Sequence, residues 1–183
     1  MADVELNAYV LNTVDDIKRA LMLEVENQTL SDDDFRNYLN DAYDEMLEDI
    51  GRSMEIENFR AYESEDVIMP DSGEGIFTTY FNIQEIVEIK VNDTAITTDD
   101  YELISRNDRV SIDSITSGDE VEISYIPKNY KILEKAICLV NILTRLNPFT
   151  NDTVNPSYAK WIKKRDDAAR GIKSKIGTAL YSG

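Results

Sequence analysis

Apolar positions between Leu30 and Met54 recur every three or four residues. Phe35, Tyr38, Leu39, Ala42, Met46 and Ile50 share one face, and the spacing predicts a helix over about 31–51. Ser31 is its N-cap candidate, able to accept the amide of Asp34. Asp32, Asp33 and Asp34 sit in the first turn, where the helix dipole favours negative charge. Gly51 supplies a left-handed stop. Asp41, Asp44, Glu45 and Glu48 fall on a different face at i, i+3, i+4 and i+7, so the helix shows an acidic stripe beside its buried side.

The same reading extends along the chain. Val10, Val14, Ile17, Leu21 and Val25 keep helical spacing, which allows a start near Val4, while Thr13 with Asp16 resembles a capping box and favours a first helix over about 13–26. A tight link then makes the first two helices an antiparallel hairpin. Residues 54–84 are the least patterned, with short strand signals at Val67–Met69 and Ile76–Phe81. From Glu85 onward the period changes to two. Val87, Ile89 and Val91 alternate with charges, as do Val121, Ile123 and Tyr125, with turns at Asn92-Asp93 and Ser117-Gly118-Asp119. An antiparallel sheet is expected over about 76–127. Ile132, Leu133, Ala136, Ile137, Leu139, Val140, Leu143 and Leu146 make the helix at about 130–146 the most apolar segment and the expected core helix. Asn147-Pro148 breaks it. A last helix runs from Pro156 to Leu180, with Tyr158, Trp161, Ile162, Ala169, Ile172 and Ile176 as a stripe and lysines and arginines mostly off it. The expected class is α+β and mainly helical: an N-terminal helical hairpin, a small inserted antiparallel sheet, a long apolar helix and a basic C-terminal helix. The body covers residues 1–147, and 148–183 form a linker and helical arm.

Charge sharpens this picture. The 183 residues carry a net charge of -17. Residues 1–127 hold 8 Lys+Arg against 32 Asp+Glu, whereas residues 128–183 hold 11 against 4. An acidic body with a basic end is thus built into the chain. Such a body repels phosphate and excludes general nucleic-acid affinity. The basic last helix fits a membrane surface or an acidic partner, or equally a solvated face packed on the body's own acidic surface.

Candidate chemistry is sparse. There is no histidine, so the commonest general base and zinc ligand are missing. The single Cys138 sits in an apolar helical run and reads as a buried thiol. Asp32, Asp33 and Asp34 point about 100° apart on a helix and do not converge on one ion. Asp71-Ser72-Gly73-Glu74-Gly75 lacks the Lys-Ser/Thr of a phosphate loop. No Gly-x-Ser-x-Gly pattern occurs, and the serines and threonines have no histidine to activate them. No enzyme, metal or cofactor is expected. The N-terminus does not read as a secretory signal and no apolar run approaches a membrane span, so the expectation is a soluble protein of a reducing compartment.

Three passages carry a resemblance. Val14 to Leu21 followed by LSDDDFRNYLNDAYDEMLEDIGR, then EIVEIKVNDTAITTDDYELI with RVSID and GDEVEISYIP, then ILEKAICLVNILTRLNP resemble, in order, the opening helical pair, central sheet and following helix of the head-to-tail adaptor (connector or head-completion) proteins of tailed bacteriophages. The likeness is of pattern, without an invariant motif, and residues 54–84 depart from the shorter versions of the family. It implies a virion neck protein made in the host cytoplasm. Its dodecameric ring would sit beneath the portal protein, with stopper or tail proteins docking below, double-stranded DNA passing through without being bound, and no membrane involved. On that resemblance Asp41, Asp44, Glu45 and Glu48 are candidate channel lining. Tyr158, Lys160, Trp161, Lys163, Lys164, Arg170, Lys173 and Lys175 are the candidate portal-contacting arm. The alternative from another class is an acidic DNA-mimic inhibitor of a DNA-binding enzyme. It accounts for the acidic body but not for the basic last helix.

Overall fold

The computed structural model describes residues 4–22, 30–104, 108–146 and 156–179, with side chains in the last helix as far as Lys173. Among the described residues an α+β order of two helices, eight strands and two helices runs along the chain: α1 (Val14–Met22), α2 (Asp32–Ile50), β1 (Glu55–Arg60), β2 (Val67–Ile68), β3 (Gly75–Thr78), β4 (Ile83–Val91), β5 (Thr94–Ala95), β6 (Tyr101–Ile104), β7 (Arg109–Ile112), β8 (Glu120–Pro127), α3 (Lys128–Leu146) and α4 (Pro156–Ala179). The contacts divide it into two units, residues 1–51 with 129–183, and residues 52–128. The expectation of a mainly helical chain is corrected, because helix accounts for fewer than half of the residues.

In the helical unit the local signals act as expected. The Thr13 hydroxyl accepts the Asp16 amide at 3.1 Å while the Asp16 carboxylate accepts the Thr13 amide at 3.1 Å, and α1 starts at the next residue. Residues 23–26 of the expected first helix lie outside the described residues. Ser31 and Asp34 form the same reciprocal box on α2, and Gly51, at φ 75°, ends it by donating to the Leu47 carbonyl at 2.7 Å. Phe35, Leu39, Ala42, Tyr43 and Met46 are the buried side of α2. The expectation of a long apolar helix is also corrected. No helix among the described residues carries an apolar span long enough to cross a membrane. α3 begins at Lys128 rather than 130, and it is an amphipathic core helix. It buries Leu133, Ala136, Ile137, Cys138, Leu139, Val140, Ile142 and Leu143, and exposes Lys128, Ile132, Thr144 and Arg145. α4 contacts α2 and buries Trp161, Ala168 and Ile172, so the contacts group it with α1 to α3. Leu180 of the expected last helix lies outside the described residues.

The inserted region holds two four-stranded antiparallel sheets, not one, in the orders β1-β8-β4-β5 and β2-β3-β7-β6. Pairing begins at Glu55, well before the expected 76. β1 is unusual because Glu55 and Glu57 turn inward while Ile56 faces out, the reverse of the apolar-in pattern. Arg52 pairs with Glu55 at 3.0 Å, and Glu57 accepts the Tyr80 amide at 2.9 Å and the Tyr125 hydroxyl. These partners make the inward carboxylates tolerable. β8 lies between β1 and β4, and its Val121, Ile123 and Tyr125 are all buried. β4 departs from simple alternation: a bulge between Ile86 and Glu88 leaves Val87 half exposed while Ile83 and Ile89 are buried. Asn92 and Asp93 both take positive φ and close the β4–β5 hairpin, as a primed turn requires. Side chains of both sheets, among them Phe77, Ile83, Ile89, Val110, Ile112, Val121 and Ile123, share one core.

Candidate functional site

Two surfaces of the helical unit carry the charge pattern that the sequence singled out. The first is the outer face of α2. The buried positions Phe35, Leu39, Ala42 and Met46 fix the rotation of the helix, and this turns Asp41, Asp44 and Glu48 into solvent. None of these three has a hydrogen bond or ion pair among the described residues, so the negative potential of the stripe is uncompensated there. Glu45 differs. It is half-buried and accepts the Asn141 side-chain amide at 3.2 Å, which ties α2 to α3. Asp49, one turn on, meets Lys173 of α4 at 3.5 Å.

The second surface is a groove of about 720 Å³ built by three helices. α1 contributes Asp16, Arg19 and Ala20; α3 contributes Asn129, Ile132 and Lys135; α4 contributes Lys160, Trp161, Lys164, Asp167 and Ala168. The indole of Trp161 is the anchor, 6% exposed. The Lys164 Nζ stands 4.2 Å from the ring centroid and the Lys160 Nζ 5.4 Å, one helical turn apart, an arrangement that favours cations over the aromatic face. The indole N–H is buried and has no hydrogen-bond partner among the described residues. Four cationic side chains face two carboxylates along this groove, in a chain whose overall charge is strongly negative.

The residues proposed for a C-terminal arm therefore separate. Lys160, Trp161 and Lys164 come together in the groove, and Tyr158 is half-buried nearby in sequence. Lys163 is exposed and lies outside the groove. Arg170 approaches Asp167 of its own helix at 3.8 Å, and Lys173 is the partner of Asp49. Lys175 lies on α4, but its side chain lies outside the described residues.

Sequence reasoning missed a fully buried carboxylate. Glu134 of α3 has no exposure, yet its carboxylate accepts the Leu11 amide at 2.9 Å, the Asn12 amide at 2.8 Å and the Asn12 Nδ2 at 2.6 Å. Burial pushes its pKa up, against the lowering effect of those donors. This clamps the segment before α1 onto α3. A Glu within an apolar run was the available signal. Arg19 and Lys135 were also missed, and Ile132, expected on the core face of the apolar helix, is instead exposed at the edge of the groove, because nothing local marks the three as neighbours of Trp161. The Cys138 thiol is buried as expected, and burial raises its pKa, so it is not poised for chemistry. Among the described residues no group of three His, Cys, Asp or Glu side chains is placed to hold a metal ion. Comparison with protein-family models and with curated proteins finds no match.

Proposed function

We propose that this chain is a structural subunit of the neck of a tailed bacteriophage virion. In this reading copies of the chain form a ring, dodecameric by resemblance, between the portal protein and the tail. Double-stranded DNA passes through the ring during packaging and ejection, and stopper or tail proteins dock below. The role is mechanical and electrostatic, with no catalytic step and no cofactor.

One observation carries the reading: α2 holds Asp41, Asp44 and Glu48 in solvent without a cationic partner among the described residues. A channel that lets a duplex slide must not bind phosphate, and a wall of unneutralised carboxylates provides that condition. The order of helical pair, inserted sheets, core helix and basic last helix supports the same family resemblance. Basic residues on α4 supply a surface of opposite sign for a neighbouring ring.

The test is quantitative mass spectrometry of purified virus particles from the source. The expected result is a copy number that matches the portal ring. Absence from particles overturns the neck role and leaves the DNA-mimic reading, for which tight binding to a basic DNA-binding enzyme is the corresponding measurement.

A further inference from the structure

We infer that the Trp161 groove is a docking site for an acidic, amphipathic segment of a partner protein: a short stretch with carboxylates at helical spacing and at least one apolar anchor. The argument is one of complementarity. The floor is apolar and aromatic, and Ile132, 39% exposed, adds an uncovered aliphatic surface at its edge. The rim is cationic, with Lys160 and Lys164 one turn apart on α4, Arg19 on α1 and Lys135 on α3. Among the described residues of the lining, Asp16 and Asp167 oppose them, and Asp16 is already engaged by the capping box with Thr13.

Three features favour a peptide over a free anion. A volume of about 720 Å³ is far more than a phosphate fills, and falls within the usual range of ligand clefts. An apolar floor beneath separated cations suits a segment that presents a side chain downward and carboxylates outward, as helix-in-groove recognition does. The indole N–H of Trp161, a residue that lines the groove, is buried without a hydrogen-bond partner among the described residues, an unmet donor that rearrangement on peptide binding can satisfy. The excess of negative charge elsewhere on this chain disfavours nucleic acid as the occupant. The inference rests on the ring reading only for the partner's identity: in a neck, the segment belongs to the adjoining ring. The groove chemistry stands apart from that assignment.

Trp161 is the only tryptophan of the 183 residues, so its fluorescence reports the groove directly in the intact chain. The titrant is a synthetic helical peptide with Glu at i, i+4 positions and Leu on the opposite face; the control is the same peptide with every Glu replaced by Gln. A saturable change of emission is expected with the Glu peptide and not with the Gln peptide. Lys160→Gln with Lys164→Gln should weaken binding at least about tenfold, with strong salt dependence in the parent protein. Lys163→Gln, one position away and outside the groove, should leave affinity unchanged. No emission change, equal binding of the Gln peptide, or an equal response to inorganic phosphate alone overturns the inference. If the chain is absent from virus particles but binds the Glu peptide, the groove assignment survives and the neck role fails. If it is present at portal stoichiometry with a silent Trp161, the opposite holds.

Discussion

The carboxylate of Glu134 receives both the backbone amide and the side-chain amide of Asn12, at 2.8 and 2.6 Å, across 122 positions of sequence. One buried side chain on the core helix thus holds the entry to α1, and the Leu11 amide completes the clamp. Removing the acceptor leaves buried donors unsatisfied, at about 1–3 kcal/mol each. Glu134→Leu should therefore destabilise more than Glu134→Gln, which keeps one acceptor oxygen. Urea unfolding measures this, and hydrogen exchange at the Leu11 and Asn12 amides should accelerate in both variants. Stability equal to the parent in both would reject the clamp.

In the sheet unit the comparable contact joins β1 to β8. The Tyr125 hydroxyl donates to Glu57 and accepts the Phe81 amide at 3.2 Å. Burial raises the Glu57 pKa, and the bond from Tyr125 works against that rise. Tyr125→Phe should cost about 1–3 kcal/mol and raise the Glu57 pKa further. A carbon-detected NMR titration of Glu57 reads the second effect. An unchanged titration would mean that the hydroxyl does not support the inward carboxylate.

Four Ser/Thr-x-x-Asp boxes recur, two capping helices (Thr13–Asp16, Ser31–Asp34) and two closing loops (Thr97–Asp100, Thr116–Asp119). All four carboxyls are held below the usual Asp value. For Asp16 the leading cause is the Thr13 amide, for Asp34 the Ser31 hydroxyl, for Asp100 the Thr97 hydroxyl, and for Asp119 the Asn92 side chain. A depressed folded-state pKa gives stability that is present above the unfolded value. It is lost as pH falls through the folded value, here below about pH 4. Self-repulsion acts in the opposite direction, since net charge falls from -17 at pH 7 toward the pI of about 4.3. Melting temperature should rise on mild acidification and then fall steeply. Asp100→Asn with Asp119→Asn should flatten the acid limb and leave the mild rise in place. An unaltered acid limb would remove these boxes as its cause.

Much of this was legible locally. The α2 box and its Gly51 stop are sequence-local, because capping uses neighbours three residues apart. β8 was legible because Val121, Ile123 and Tyr125 alternate and all face the core. β1 was not, since its Glu55 and Glu57 turn inward and its Ile56 outward, and partners such as Arg52, Tyr80 and Tyr125, which no local pattern marks, make that tolerable. Val87 misled for a different reason: the bulge beside it reverses the face that simple alternation assigns. The stripe on α2 followed from helical spacing alone. The groove did not, because Arg19, Lys135 and Trp161 meet only through tertiary packing.

Ile172 has no exposure and Trp161 has little, so α4 is part of the core that it covers. Truncation before Pro156 would uncover apolar surface along α1 to α3, since burial of large apolar side chains contributes about 1.5–3 kcal/mol each. The shortened chain should melt at least several degrees lower and tend to associate. Trp161→Ala should reproduce part of the loss, within the roughly 3–5 kcal/mol typical of buried large-to-small changes. A truncated protein with unchanged melting temperature would show that α4 contributes no stability and is free to act as a detachable arm.

The acidic stripe allows the sharpest separation of function from stability. Asp41 and Glu48 are exposed, lie seven residues apart on one face of α2, and touch no cation among the described residues. Surface substitutions without such partners usually change stability by about 0.5 kcal/mol or less. Asp41→Lys with Glu48→Lys should therefore fold normally. In a ring each reversal repeats in every subunit, so two lysines per chain become a cationic belt that holds phosphate. Particles carrying the variant should package or eject DNA slowly, with the defect relieved at high salt as the contacts are screened. DNA release from purified particles across a salt series measures this. Wild-type ejection at low salt would mean that the stripe faces away from the channel, while a defect insensitive to salt would point to failed assembly instead of captured DNA.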